Sequence, residues 1–243
     1  MYFYDFMYYK AIKLNKAMVR AGSSQMTESQ AHGFTWEKSV LEGVYGITGP
    51  QVGGYTRAHD VSAEDNKLDG VSVSIKASGS SSVDMADARR VFESCASGEP
   101  FHLLLIQYKQ EDDEKVLKSV LYVDLTSSAT ELFGDLTLED ITAMHTYLKA
   151  IPAGRASIDT RSEYKVRAAD LSRRSGAISL RPKVDSKKQR RLQCSFSNIA
   201  AFCAANPVRL ISQNSNGVFK GFQLLTRIQS GRRFLEVKQE ETN

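Results

Sequence analysis

The sequence predicts an α/β protein in which a central mixed sheet is flanked by helices and followed by a basic, β-rich C-terminal lobe. Three observations carry this. Residues 29–45 place apolar side chains at helical spacing, residues 71–76 alternate, and residues 101–108 form a short apolar run typical of buried strands. The chain has 243 residues, 42% of them hydrophobic, enough for one good-sized α/β domain or a domain with an appended lobe.

The first nine residues, Met1 to Tyr9, are rich in aromatics but lack the charged start, apolar run and small-residue cleavage site of an export signal. Met26-Thr-Glu-Ser-Gln reads as a start just before a helix, so residues 1–25 are expected to be an extension not needed for folding. From Ser29 to Tyr45, Phe34, Val40, Leu41, Val44 and Tyr45 share one face and predict an amphipathic helix. The stretch Gly46 to Gly54, with four glycines and Pro50, closes it. A strand is expected from Gly54 to Asp60, then a polar loop to Gly70, then a second strand, Val71 to Lys76.

A serine-rich turn, Ser78 to Ser82, leads into an expected helix from Asp84 to Ala96, with Met85, Ala88, Val91, Phe92 and Cys95 inward. Strands at Phe101 to Tyr108 and Val116 to Leu125 are joined through Glu111-Asp-Asp-Glu114 as a hairpin. A helix from Leu138 to Ala150 ends before Pro152, and residues 151–175 read as a polar connection. Beyond it come strand-like segments at 177–180, 190–196, 218–225 and 234–237 and a short helix at 198–205. Residues 26–150 are thus expected to form the core and 151–243 the basic lobe.

Composition narrows the classes of function. No stretch approaches the roughly 20 apolar residues of a membrane helix, and the mean hydropathy is negative, −0.33, so no membrane partner is expected. Cys95, Cys194 and Cys203 are dispersed and odd in number, which suggests neither a disulfide framework nor a zinc site and fits a cytoplasmic location. The net charge of +4 hides an asymmetry: residues 151–243 hold 18 Lys and Arg against 7 Asp and Glu, leaving 14 against 21 for residues 1–150. A half-chain at +11 beside one at −7 points to a polyanionic partner. Ser78-Gly79-Ser80 lacks the order of a hydrolase nucleophile elbow, and Lys76 precedes rather than follows the glycine, which excludes a Walker loop.

The chemistry-bearing residues cluster around the first two expected strands. Alternation puts Ser72, Ser74 and Lys76 on one face of the second strand and Val71, Val73 and Ile75 on the other, presenting a lysine beside the aspartate that ends the preceding strand, His59-Asp60. Glu37 falls within the apolar stripe of the first helix, where a carboxylate is costly unless it is paired, bound to metal or able to reach solvent.

The helix, strand, strand, helix, strand order from 29 to 108, with His59-Asp60 and Ser74-Ile-Lys76, resembles the PD-(D/E)xK, restriction-endonuclease-like nucleases. The resemblance implies a restriction-endonuclease-like core, Asp60 as anchor of Mg2+, Lys76 as the group that orients or deprotonates the attacking water, and Glu37 as a contributor from the helix. The chain departs from the family pattern at two places: His59 stands where Pro is usual and Ser74 where an acid is usual. The missing carboxylate is expected from Asp84 or Asp87, of which Asp84 also fits a helix capping box with Ser81. The implied activity is Mg2+-dependent hydrolysis of double-stranded DNA, restriction-like and carried out by a homodimer. A non-catalytic DNA-binding protein on the same fold, or a structure-specific resolvase or repair nuclease, stand as alternatives. Arg191 and Gln193, alternating outward in the segment 190–196, suit base edges, and Lys187, Lys188 and Arg190 suit phosphates.

Overall fold

The computed structural model describes residues 28–49, 59–185 and 189–229. The proposed extension 1–25, the strand start at Gly54, Lys187, Lys188 and the segment 234–237 lie outside the described residues.

Helix α1 spans Glu28–Gly43. Strand β1, Ser72–Ser78, follows and gives way to β2, Val83–Asp87, and α2, Ala88–Ala96. The β3–β4 hairpin, Phe101–Glu111 and Glu114–Asp124, turns through Asp112 in the left-handed region (φ 47), as the acidic turn predicts. Helices α3 (Ala129–Phe133), α4 (Leu138–Ala150) and α5 (Ile158–Arg174) precede β5 (Ile178–Val184) and β6 (Arg190–Phe196). The chain then forms α6 (Ile199–Ala205), β7 (Leu210–Asn214), a hairpin of β8 (Val218–Phe219) and β9 (Phe222–Gln223), and β10 (Arg227–Gln229).

These elements make an α/β fold with two principal sheets. In the larger, β1 runs parallel to β3, β3 antiparallel to β4, and both β7 and β10 pair antiparallel with β4. The smaller is antiparallel, in the order β2-β6-β5. Strands from both sides of residue 150 therefore pair within the same sheets.

Strand β3 explains the arrangement. Its Leu103-Leu-Leu-Ile106 run is fully buried on both faces, as expected of a central strand in a layered α/β core. Leu103 and Leu105 belong to the buried cluster shared with α2, α4, α5 and the small sheet, and Leu104 and Ile106 to the one shared with Val73, Ile75, Trp36 and Val40. Each such side chain contributes about 2 kcal/mol of burial, so one run holds two hydrophobic layers together.

Four sequence expectations change here. Asp60, expected to end a strand, lies in a bend, and the next residue, Val61, makes only an isolated bridge to Val73. The helix expected from Asp84 begins at Ala88, because Val83 and Met85 alternate into the core on β2, which continues through a bulge at Ala86 (φ 70) to Asp87. Residues 158–174 form α5 rather than a connection, with Tyr164, Ala168 and Leu171 on its buried stripe. The 218–225 segment folds into a hairpin, since Lys220 (φ 48) and Gly221 (φ 79) supply the two left-handed residues of a tight turn. Among the described residues no helix is long and apolar enough to cross a membrane.

Candidate active site

The free edge of β1 carries the candidate site. Val61 forms an antiparallel bridge with Val73, each donating its N–H to the other's carbonyl at 2.9 and 2.8 Å. Two residues further along β1, the next N–H on that edge is Ile75's, and the Val61 segment has already turned away. Asp60 supplies the acceptor: Ile75 N–H donates to its Oδ2 at 2.6 Å. A carboxylate thus takes the place of a strand carbonyl, which fixes its position against the sheet.

Lys76 follows on the strand and its ammonium curls back over this edge. Nζ lies 3.1 Å from the same Asp60 Oδ2 and donates to the Ile75 carbonyl at 3.0 Å. Both side chains are about one-quarter exposed (24% and 23%), so the pair is partly desolvated while still reachable from solvent. Asp60 Oδ1 has no hydrogen bond among the described residues.

Glu37 joins them from α1. Trp36 and Val40, one helical turn apart, are fully buried, with the Trp36 indole N–H donating to the Leu225 carbonyl at 2.9 Å and its ring stacked on Tyr108 at 5.3 Å. Glu37 is about 100° around the helix from Trp36, at the border of the buried face, and is half-buried. Burial pushes its carboxyl up to about 7; the negative charge of Asp60 adds to the rise and Lys76 opposes it. The structure therefore brings Glu37, Asp60 and Lys76 into one electrostatic cluster of two carboxylates and one ammonium.

The raised Glu37 value has a consequence for stability. The unfolded chain releases this proton near 4.5 and the folded chain near 7, so the folded state holds more protons between those values and stability falls as pH rises through that window. Glu37→Gln removes the fall. Relative to wild type, the variant should gain about 2 kcal/mol in urea unfolding on going from about pH 4 to pH 8. A variant that tracks wild type at both values would place Glu37 in water.

His59 is half-buried against the Phe101 ring (4.8 Å), with Nε2 3.5 Å from Ser94 Oγ. Burial holds its pKa below the usual histidine value, against the pull of Asp60. Ser74 is 7% exposed and supplies no charge.

Asp84 and Asp87 serve other purposes. Asp84 lies on β2, where it accepts from Ala86 N–H at 2.8 Å and from the Gln193 side-chain amide of β6. Asp87, rather than Asp84, caps α2, accepting from the N–H groups of Arg89 and Arg90 at 3.1 and 3.3 Å. Its Oδ2 stands 3.9 Å from His145 Nδ1. Neither aspartate hydrogen-bonds or ion-pairs with Asp60 or Lys76. Asp87→Ala should accordingly cost about 1 kcal/mol of stability and leave any cleavage rate within a few-fold of wild type. Loss of cleavage in a folded Asp87→Ala protein would return it to the site.

The basic strand divides as well. Leu192, Cys194 and Phe196 enter the core while Arg191 and Gln193 stay half-buried on the outer face. Arg190, expected at phosphates, is turned inward: its guanidinium donates to five carbonyl oxygens, those of Ile151, Pro152, Gly154, Asp185 and Gln189. Sequence reasoning passed over Arg181 and Lys183 of β5, which lie opposite Gln193 and Arg191 in the register; the alternation Ser179-Leu-Arg-Pro-Lys183 is the signal that marks them.

Among the described residues no group of three or more His, Cys, Asp or Glu side chains converges as a metal site. No known protein family, curated protein or solved structure matches this chain.

Proposed function

We propose that this chain is a Mg2+-dependent endonuclease that hydrolyses phosphodiester bonds in double-stranded DNA, on a restriction-endonuclease-like core and as a homodimer. The observation that carries the reading is the Asp60–Lys76 pair on the open edge of β1 with the Glu37 carboxyl in its field. The order α1, β1, β2, α2, β3, with β1 and β3 parallel, supports it further.

The donor set fits a magnesium ion. Mg2+ is held through one or two carboxylates and completes its shell with water and phosphate oxygens. Asp60 Oδ1 and the Glu37 carboxyl supply two such groups, and their negative charge exceeds what Lys76 alone offsets. The chemistry gained there is neutralisation of phosphate charge and a lower pKa for a bound water. The chain's own residues do the rest. Ile75 N–H and the Lys76 ammonium hold Asp60 in place, and the ammonium, one-quarter exposed, can orient a water and stabilise charge developing on the phosphorane. Mg2+ would compete with the proton that burial keeps on Glu37, so more Mg2+ should be needed for activity below about pH 7 than above it.

A second reading, a DNA-binding protein without hydrolytic activity, draws on the buried Ser74 and on the engagement of Asp84 and Asp87 elsewhere. Incubating supercoiled plasmid with the protein in Mg2+ or EDTA separates these. Discrete Mg2+-dependent fragments support a restriction-like enzyme, cutting confined to branched junctions a resolvase, and retarded but uncut DNA the binding protein.

A further inference from the structure

We infer that the outer face of the β5–β6 hairpin is a phosphate-contacting ribbon that docks on duplex DNA through Arg181, Lys183 and Arg191. The inference rests on the reading of this chain as a DNA-acting protein, and it names the surface by which the duplex is held.

Antiparallel register sets Lys183 directly opposite Arg191 and Arg181 directly opposite Gln193. Their strand neighbours Leu180, Leu192 and Cys194 are buried on the other face, under α4 and α5. Side chains directly opposite one another stand about 5 Å apart, and like charges at that spacing disfavour the pairing. A sheet that sets Lys against Arg would ordinarily place carboxylates beside them. Here, among the described residues, none of Arg181, Lys183 and Arg191 makes an ion pair. Of the two carboxylates that β2 brings to this sheet, Asp84 is taken up by the Gln193 amide and the Ala86 N–H, and Asp87 by the N–H groups that open α2. Arg191 Nε is moreover buried without a hydrogen-bond partner among the described residues. The face thus has excess positive charge, and the Arg191 guanidinium behind it is not held by the protein at Nε.

The shape selects the occupant. Strand β5 is an edge strand and contains Pro182, which disfavours extension of the sheet by another strand. Strand β2 pairs with β6 only as far as Gln193, and beyond it Pro182–Val184 and Arg190–Leu192 continue as a basic two-stranded ribbon, a shape the major groove of B-form DNA admits. Phosphates supply the negative charge that the face lacks. Gln193 is held by Asp84, so the contacts assigned to this face go to the DNA backbone.

The test is fluorescence anisotropy of the full chain with a labelled duplex in EDTA, so that binding is read without cleavage. Arg181→Gln and Lys183→Gln should each weaken affinity about fivefold at moderate salt and lower the salt slope by about 1. Lys183→Arg should restore wild-type binding. Arg173→Gln, at an exposed cation on α5 already paired with Asp170, should change neither quantity. Binding that follows this pattern without any cleavage in Mg2+ supports the surface and counts against the hydrolytic reading alone. Unchanged affinity and slope in the folded Arg181→Gln/Lys183→Gln protein, no wild-type binding, or tighter binding to single-stranded RNA or anionic vesicles than to the duplex overturns it.

Discussion

Lys76→Ala should leave the protein folded and bound to DNA while lowering Mg2+-dependent nicking of plasmid by about 10³-fold or more, the combined scale of proton-transfer and electrostatic terms. The variant removes the one ammonium that offsets both Glu37 and Asp60, so Glu37 should also hold its proton to higher pH than in wild type. That gives a second readout, since in metal-free protein the window in which stability falls with pH should extend higher than in wild type. Asp60 needs a different substitution. Alanine would also take away the acceptor for Ile75 N–H at the edge of β1, confounding chemistry with folding. Asp60→Asn keeps an oxygen at that position and removes the charge, so it should melt close to wild type and cleave at least as poorly as Lys76→Ala. Interactions made mainly in the transition state lower the rate and spare affinity. Near-wild-type nicking by either variant would dissociate the Asp60–Lys76 pair from catalysis.

How much of this site could be read in the sequence depends on which periodicity governed each residue. Ser72 to Lys76 alternates strictly, and β1 follows that alternation, so Lys76 was legible from spacing alone. Glu37 was legible as an anomaly on an apolar face, although the face itself was placed too far round the helix: Trp36 and Val40 are its buried centre. The stripe counted from Phe34 to Tyr45 gave weight to Leu41, Val44 and Tyr45, which are only half-buried. Asp84 and Asp87 were misread because Met85, Ala88, Val91 and Cys95 satisfy a helical period although Met85 lies on a strand. Local pattern could not reveal that β6, more than 100 residues away, provides an edge for β2. The same non-local cause hid β7 and β10, which pair with β4 from about 90 residues or more further along the chain. Helix α5 was hidden by composition: three buried side chains anchor seventeen residues, and eight of the other fourteen are charged.

Arg190 shows how a charged residue can mislead a composition argument, and it sets the last expectation. Between Lys187-Lys188 and Arg191 it reads as part of a basic DNA-contacting run. In the fold it is 9% exposed and its guanidinium collects carbonyl oxygens from residues 151–154, which follow α4, and from the β5–β6 loop, at 2.6 to 3.3 Å. A planar group with five donors is suited to that task, and an ammonium with three is not. Arg190→Ala would leave those buried carbonyls without a donor, at a cost of about 3–5 kcal/mol, which for a chain of this size lowers the melting temperature by roughly 10 °C. Arg190→Lys should recover only part of the loss. Affinity for DNA, measured at a temperature where the variant is still folded, should stay close to wild type, because this side chain faces the protein rather than a phosphate. A variant that melts with wild type but binds DNA many-fold more weakly would make Arg190 a contact residue after all, and the carbonyl cluster would then need another donor.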